Sequence, residues 1–252
     1  MIMKTNWKIA LMCLATIAMV ACKKDKNPAT DPAGGVDPSY VEKINVKDGS
    51  VADWEELDQT KVAVTNISPS PLWPALKQLK VYADEVYINY MLVFDPVLYE
   101  SHTPSDAMHI YMDVDHSNAT GGFFDSFSDA GADLMFEGPL FDDYEMPIPY
   151  VPTAHKWIGP TGGTPESRVG DWKEVWEPAG TVSGSASQFV GENIIEGRLL
   201  IDLIPATFAE DGFGIGFDLQ QNWNNIGLLP QLNTPNGTNV GRTTMLFVTF
   251  DK

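Results

Sequence analysis

The chain contains almost no cysteine, and this shortage limits both its chemistry and its means of stabilisation. Of its 252 residues, only Cys13 and Cys22 are cysteines. The sequence after Cys22 therefore has no thiol for a disulfide framework or for cysteine catalysis. Its stability must come from a packed core, and a chain of this length can bury one within a single domain.

Basic residues are also scarce. The chain has 16 Lys and Arg against 34 Asp and Glu, which gives a formal net charge of −18. No Lys or Arg occurs between Lys80 and Lys156, although acidic residues continue through this stretch. Such a surface repels phosphate backbones, which argues against nucleic acid as a partner. An acidic stretch of this kind either stays solvated or recruits a divalent cation.

Long amphipathic helices are missing as well. After residue 43 the chain alternates apolar and polar positions in runs that are rich in β-branched and aromatic residues. This pattern predicts nine strands, at residues 61–67, 79–83, 86–94, 108–114, 133–137, 172–176, 194–203, 213–221 and 243–250. Only residues 204–211, with Pro205 near their start, predict a short helical turn. The pattern predicts an all-β domain over residues 43–252, built as an antiparallel, jelly-roll-like β-sandwich.

One segment departs from this alternation. Residues 138–170 contain six prolines, a Gly-Gly pair and several aromatic residues, without a regular period. A stretch of this length without periodicity predicts a long loop insertion. Its aromatic content favours a functional loop, because disordered segments are usually poor in aromatic residues.

The N-terminus has the layout of a secretion signal. Lys4 and Lys8 are followed by an apolar run at residues 9–20, which is too short to span a membrane comfortably. Ala21 then stands directly before Cys22, as at the lipidation site of bacterial lipoproteins. An ordinary signal peptide with an incidental cysteine is the alternative.

This layout predicts three parts along the chain. Residues 1–21 are a lipoprotein signal peptide, residues 22–42 are a flexible tether rich in Pro, Gly, Asp and Lys, and the β-sandwich follows. A lipid on Cys22 would hold the protein to the outer membrane of the cell envelope, on its surface or its periplasmic face. A disordered N-terminus without a spacing role is the alternative to a tether.

The stretch "DVDHSNATGG" (113–122) is the strongest candidate for a metal site. It offers hard oxygen ligands of the kind that Ca²⁺ prefers, from Asp113, Asp115, Ser117 and, beyond it, Asp125. The loop follows a strand and lacks the closing glutamate, so it is not an EF-hand. The alternative is an Asx-type hairpin turn in which Asn118 and Gly121 take positive φ. Calcium here would stiffen a loop and perform no chemistry.

Tryptophans are candidates for sugar binding, because sugar rings present apolar C–H faces that stack on aromatic planes. Trp157, flanked by prolines, is expected to be an exposed ring. Trp172 and Trp176 share one face of a predicted strand and form either a binding platform or a buried face. In "QQNWNN" (220–225), Trp223 is a further stacking candidate, and the neutral amides of its neighbours Asn222 and Asn224 are candidates for hydrogen bonds to sugar hydroxyls; a plain polar loop is the alternative.

Signs of catalysis are weak. The four histidines show no metal-ligand spacing, and "SGSAS" (183–187) lacks the framing of a nucleophile elbow. Two acid pairs, Asp142–Asp143 and Glu174–Glu177, are the candidates for a hydrolase pair. No catalytic residue is predicted, and binding is favoured over catalysis.

Five segments stand out when the chain is taken in order: "DGSVADWEEL" (48–57), "LKVYADEVYINYMLV" (79–93), "MHIYMDVDHSNATGG" (108–122), "GADLMFEG" (131–138) and "NIIEGRLLIDLIP" (193–205). In this order they resemble the β-sandwich of family 9 carbohydrate-binding modules and the wider DOMON-like group. They are similar to the opening motif, the following hairpin, the strand with its acidic loop, the Gly-Ala-Asp strand and the late Glu-containing strand of that group. The resemblance spans roughly residues 44 to 250.

The resemblance implies a glycan partner without cleavage, and structural calcium as in some members of the group. The sugar-sandwiching tryptophans of that family lie on variable loops and do not map onto this chain residue by residue. Two alternatives from other classes stay open. One is a small glycan-active hydrolase or lyase, and the other is a structural lipoprotein whose partner is another envelope protein.

The lipidation of Cys22 can be tested by fractionation. Cys22→Ser removes the thiol that would carry the lipid, so the variant is expected in the soluble fraction of a bacterial expression host and the wild type in the membrane fraction. Cys13→Ser, inside the leader, is the matched control and should fractionate like the wild type. Membrane retention of Cys22→Ser would contradict the prediction.

Overall fold

The computed structural model describes the β-rich part of the chain. The described residues are 36, 39–69, 71–95, 107–122, 127, 131–140, 148–163, 167–168, 170–182, 185–231 and 244–252, without the side chain of Trp172. All of them lie within one compact unit, residues 32–252. The predicted signal peptide, Cys22 and most of the tether lie outside the described residues. In the described part, no helix has the length and apolar character needed to cross a membrane.

Strands dominate these residues. They are β1 (Ala63–Asn66), β2 (Leu76–Asp84), β3 (Tyr87–Phe94), β4 (Met108–Asp113), β5 (Leu134–Gly138), β6 (Thr153–Trp157), β7 (Trp176–Thr181), β8 (Ala186–Val190), β9 (Ile194–Leu200), β10 (Phe213–Gln221), β11 (Asn224–Leu229), β12 (Leu246–Val248) and β13 (Phe250–Asp251). The helical elements are single turns: α1 (Asp53–Glu56), α2 (Trp172–Val175) and a 3-10 turn at Ile201–Leu203.

The strands form two sheets. Sheet A has the order β1-β2-β3-β9-β8, with β13 beside β2, and sheet B has the order β11-β10-β4-β5-β6-β7, with β12 beside β10. Neighbouring strands are antiparallel except for the short β13–β2 pair. The antiparallel β-sandwich predicted from the sequence is therefore confirmed.

Alternation along the strands decides what lies between the sheets. On β4, Met108, Ile110 and Met112 belong to the central core. The residues between them face outward, because successive strand side chains point to opposite faces. Strand β10 contributes Phe213 and Phe217 to the same core. Each such side chain, fully buried, stabilises the fold by about 1.5–3 kcal/mol.

The outer face of sheet B carries a second apolar group, here called the outer aromatic cluster. It contains Tyr111, Phe127, Met135, Trp157 and Trp176, with smaller neighbours. Phe127 lies so close to the sheet that a Cβ on Gly216 of β10 would stand 2.4 Å from its ring. The sheet therefore needs glycine at this position for the ring to cover it.

The outer face of sheet A is covered by the segment before β1. Ile44, Val46 and Trp54 of this segment pack on Tyr82 and Met91. The Trp54 indole Nε1 donates a hydrogen bond of 2.6 Å to Oε1 of Glu196 on β9, and both side chains are buried. Trp54 is therefore a core residue of the domain.

Some local predictions were wrong. Residues 172–175 form the turn α2, so the predicted strand at 172–176 in fact begins at Trp176. The helical element near 204–211 lies earlier, at Ile201–Leu203, before Pro205. Strands β6, β8 and β11 were missed, and β6 lies inside the predicted loop insertion. Each of the three owes its conformation to a better-defined partner strand, and not to its own sequence period.

Glu196 gives the fold a testable pH dependence. Burial raises the pKa of its carboxyl to about 7, against a smaller lowering by the Trp54 hydrogen bond. A carboxyl whose pKa is higher in the folded state destabilises the fold as pH rises from its unfolded pKa through 7, because the folded state must release the extra proton. Glu196→Gln keeps an acceptor for Trp54 and cannot ionise, so it should be more stable than the wild type at pH 8, by up to about 3 kcal/mol.

Chemical denaturation at pH 5 and pH 8 measures this difference. The gap between Glu196→Gln and the wild type should widen from the lower to the higher pH. Glu56→Gln, at an exposed position of the same segment, is the control and should follow the wild type at both. A constant gap would show that Glu196 does not titrate in this range.

Candidate functional site

Three carboxylates meet at one end of sheet B. Asp113 ends β4, Asp115 follows in the loop, and Asp133 immediately precedes β5 on the neighbouring strand. One oxygen from each of these three lies within 4.8 Å of the others. We call them the acidic cluster. Carboxylate oxygens this close repel each other unless a proton or a cation lies between them.

Asp113 and Asp133 of the acidic cluster hold protons more tightly than isolated carboxyls do. Burial raises the pKa of Asp113 to about 6, and nearby Asp115 adds to the effect. Burial, followed by the charge of Asp115, raises the pKa of Asp133 to about 7. The site is therefore half-buried and electronegative, and a bound divalent cation would relieve the repulsion.

The loop between the first two carboxylates is an Asx-type turn. The backbone N–H of Ser117 donates to Oδ1 of Asp113 at 3.1 Å and to Oδ1 of Asp115 at 3.0 Å. Positive φ falls on His116 and Gly121, so Gly121 matches the expectation and Asn118 does not. The turn hypothesis is thus correct in its hydrogen bonds. It is compatible with the cation hypothesis, since the same turn brings the carboxylates together.

The rest of the loop is held by close backbone contact and by a buried arginine. A Cβ on Gly121 would stand 2.3 Å from the backbone of Gly131, so the two segments can approach only with glycine there. The Arg168 guanidinium, also buried, donates to the carbonyl oxygens of Asn118, Thr120 and Gly121. Arg168 thereby fixes the loop from outside it, a role that the sequence did not reveal.

Of the four predicted metal ligands, the structure brings two together. Asp113 and Asp115 belong to the acidic cluster, whereas Ser117 serves the turn through its backbone N–H and accepts from Ala119 with its Oγ. Asp125 lies outside the described residues. Asp133 was missed. The Gly-Ala-Asp run at the start of a predicted strand could have pointed to it. That run indicates a ligand only once β5 is known to pair with β4, because the pairing brings Asp133 beside Asp113.

A pocket of about 390 Å³ opens beside the acidic cluster. Asp113, Asn118 and Phe247 are among its lining residues. The Phe247 ring is partly exposed and stacks on His116 with ring centres 4.4 Å apart. The pocket therefore combines a carboxylate, an amide and an aromatic face.

Trp157 does not lie where the sequence predicted. Trp157 was expected to be exposed, but only 8% of it is, because its ring packs edge-on against Trp176 in the outer aromatic cluster. Its indole N–H donates to the carbonyl of Pro160 at 3.1 Å. Trp176 is also buried, which favours the buried-face interpretation over a binding platform. For Trp172 only the backbone, in α2, is described.

Trp223 is exposed, unlike the other tryptophans whose side chains the structure describes. It is 70% exposed at the tip of the β10–β11 hairpin, which Gln221 and Asn224 close as the last pair. Both loop residues have positive φ, 51° for Asn222 and 63° for Trp223, the pair that a type I′ turn requires. Glycine or asparagine is favoured at such positions, so the backbone of Trp223 is strained.

Amide groups surround this ring along the chain. Asn222 and Asn224 stand on either side of Trp223, and the Asn224 side chain donates to the Asn222 carbonyl at 2.9 Å. Together with Gln220, Gln221 and Asn225 they make the hairpin tip neutral and rich in hydrogen-bonding groups. We call residues 220–225 the amide hairpin.

The acidic cluster and the amide hairpin occupy opposite ends of sheet B. In the register of β4 and β10, Asp113 is opposite Gly214, and Met108 is opposite Leu219, two residues before the end of β10. The length of β4 alone separates the two ends by about 17 Å. A cation at one end would therefore not contact a ligand bound at the other.

Comparison with known proteins finds similarity among solved structures. No family model matches the chain, and no curated protein matches it. A family 9 carbohydrate-binding module from Caldicellulosiruptor kristjanssonii, in complex with cellotriose, is 12% identical over 73% of each chain, with a TM-score of 0.33. A family 9 module from the same organism, in complex with glucose, is 13% identical over 73% of this chain and 76% of its own, with a TM-score of 0.35. Both belong to the family that the sequence motifs resemble, and their likeness to this chain is one of fold.

Proposed function

We propose that the protein binds a carbohydrate without cleaving it, from a lipid anchor in the cell envelope. The observation that carries this proposal is the exposed Trp223 ring at the tip of the amide hairpin. An indole held in a disfavoured backbone conformation, and largely in water, contributes little to the core. Such local strain is typical of functional positions.

The chemistry of the hairpin fits a sugar. The indole face offers an apolar surface for the C–H groups of a pyranose ring, and the side-chain amides of Asn222 and Asn224 can both donate to and accept from hydroxyl groups. The hairpin tip projects from the sheet, so the contact area is small and solvated. Affinity at such a site is modest, because little surface is buried to offset the loss of ligand freedom.

The hydrolase alternative has less to rest on. Asp142 and Asp143 lie outside the described residues. Glu174 and Glu177 are both exposed, in α2 and at the start of β7. Binding without chemistry is therefore the function that the described side chains favour.

Calcium at the acidic cluster is part of the proposal. Asp113, Asp115 and Asp133 offer hard, negatively charged oxygens at one point, the donor type that Ca²⁺ takes. A bound cation would hold the loop 113–122 to the start of β5. Its contribution would be to stability, since the acidic cluster lies at the far end of sheet B from the amide hairpin.

The lipid anchor on Cys22 completes the proposed function. Fixed to an outer-membrane leaflet, the domain would meet glycans at the envelope. A structural lipoprotein that binds another envelope protein is the alternative, and copurification with such a partner in the absence of sugar binding would favour it.

Two variants of Trp223 can separate its role in glycan binding from its effect on the stability of the hairpin. Trp223→Gly should relieve the strain of positive φ and stabilise the hairpin by up to about 1 kcal/mol. It should also weaken glycan binding at least roughly tenfold, because a central aromatic contact is lost. Trp223→Phe keeps a ring and should retain more affinity than Trp223→Gly.

These variants are compared on a glycan array and then by calorimetry with each sugar that binds, cellotriose being the first probe. Phe247→Ala, which removes a partly exposed ring at the other end of sheet B, is the matched control and should bind normally. Loss of binding in Phe247→Ala, with normal binding in Trp223→Gly, would place the site in the pocket beside the acidic cluster.

Calcium binding predicts a chelator-sensitive melt. Ca²⁺ at 100 times its dissociation constant should stabilise the fold by about 2.7 kcal/mol, and EDTA should remove that gain. Asp133→Asn and Asp113→Ala should each abolish the response, whereas exposed Asp171→Asn should keep it. If the melting temperature of the wild type changed with neither Ca²⁺ nor EDTA, the calcium hypothesis would be wrong and the loop would be an Asx-type turn alone.

A further inference from the structure

A row of charged side chains crosses the outer face of sheet B between the two ends already described. Asp218 on β10, His109 on β4 and Glu137 on β5 are direct cross-strand neighbours. The imidazole Nδ1 lies 2.7 Å from Oδ1 of Asp218, and Nε2 lies 2.9 Å from Oε2 of Glu137. We call these three residues the carboxylate–histidine row.

The imidazole at the centre of the row is protonated at neutral pH. Burial lowers the pKa of His109, but the charges and hydrogen bonds of Asp218 and Glu137 outweigh it and raise the pKa to about 9. Both ring nitrogens then carry hydrogen and donate, one to each carboxylate. The Tyr111 hydroxyl also hydrogen-bonds Asp218, and His155 on β6, whose pKa burial lowers, faces Glu137.

The row is buried at one end and open at the other. Asp218 is 1% exposed, whereas the Glu137 side chain is 34% exposed. The two carboxylates and one imidazolium sum to a single negative charge. In the described part of the chain, no Lys or Arg forms an ion pair with the row. Glu137 is thus an oriented, negatively charged acceptor at the surface.

The row adjoins the amide hairpin. The Gln220 side chain donates to Oδ2 of Asp218 at 3.4 Å, and Asn222 follows two residues later in the hairpin loop. Three residues lie between Asp218 and Asn222, which places the two roughly 13 Å apart along the strand, and Glu137 lies two strands away from Asp218, roughly 10 Å across the sheet. An oligosaccharide of a few rings is long enough to reach from the indole to the row.

A contribution to the stability of the fold does not by itself explain why the carboxylate–histidine row is present. Replacing a buried ion pair with apolar groups is often neutral or stabilising, because desolvation costs about as much as the attraction returns. The neighbouring Tyr111 and Met135 show that this face can carry apolar side chains. What the row achieves beyond them is a carboxylate held in one orientation at the edge of the proposed sugar site.

We propose that Glu137 is a second contact for the glycan, accepting hydroxyl hydrogens of an uncharged sugar ring and rejecting sugars that carry a carboxylate. His109, held by Asp218, acts as a positioning residue through Glu137. This inference rests on the glycan binding proposed above. It adds to that proposal a selectivity for uncharged sugars, and it names Glu137 as the residue that determines this selectivity.

The first test compares neutral and uronic-acid oligosaccharides on one array, with cellotriose and trigalacturonate as probes. The wild type should bind neutral members and reject the acidic ones. Glu137→Gln should weaken neutral binding about tenfold or more, the loss expected for a hydrogen bond to a charged acceptor, and should narrow the discrimination against uronates. Glu192→Gln, an exposed acid beside β9 of sheet A, is the control and should change neither.

The second test uses pH, because a purely structural row would not affect ligand affinity. Above pH 9 the His109 imidazole keeps one hydrogen and can satisfy only one carboxylate, so wild-type affinity should fall as pH rises through about 9. In Glu137→Gln this fall should disappear. The imidazole nitrogen resonances of His109 follow the same titration by NMR, with or without ligand. Glu137→Asp, which keeps the charge but shortens the reach to His109, replaces Glu137→Gln if that variant fails to fold.

The outcomes separate the two proposals. A wild type that binds no member of the array removes the proposed function, and this inference with it. A wild type that binds, beside a Glu137→Gln variant with equal affinity and equal selectivity, overturns this inference alone. Wild-type affinity that stays level while the His109 resonances titrate would overturn it as well.

Discussion

The outward alternation of side chains on sheet B is the constraint on which the rest of the structure depends. Once β4 and β10 bury their apolar positions against sheet A, the residues between them have no choice of direction. Asp113, Tyr111 and His109 must then stand in that order along one outward face. The acidic cluster, the outer aromatic cluster and the carboxylate–histidine row all depend on this alternation.

The architecture could be predicted from sequence because strands such as β2, β3, β4 and β10 are marked by their own composition. Strand β6 could not, since prolines stand on either side of it and its pairing with β5 and β7 makes it extended. Strand β11 begins with two asparagines and depends in the same way on β10. Local sequence therefore identifies the strands with a clear composition of their own, and pairing with those strands determines the others.

The site was predictable where neighbours in sequence are neighbours in space. Asp113 and Asp115 could be named because one loop carries both, whereas Asp133 arrives from the adjacent strand. Trp157 and Trp223 have the same side chain and opposite exposure, which packing decides and composition cannot. His109 belongs to no recognisable motif in the sequence, because its two carboxylate partners come from different strands.

The segment that precedes β1 has a mechanical consequence. Tyr40 donates to Asp84, Lys43 bonds both Tyr82 and Asp251, and Trp54 is pinned to Glu196, all along the outside of sheet A. A pulling force that enters at residue 39 would load these bonds in series before reaching the core. The segment before β1 would then detach from sheet A first, while sheet B stayed intact.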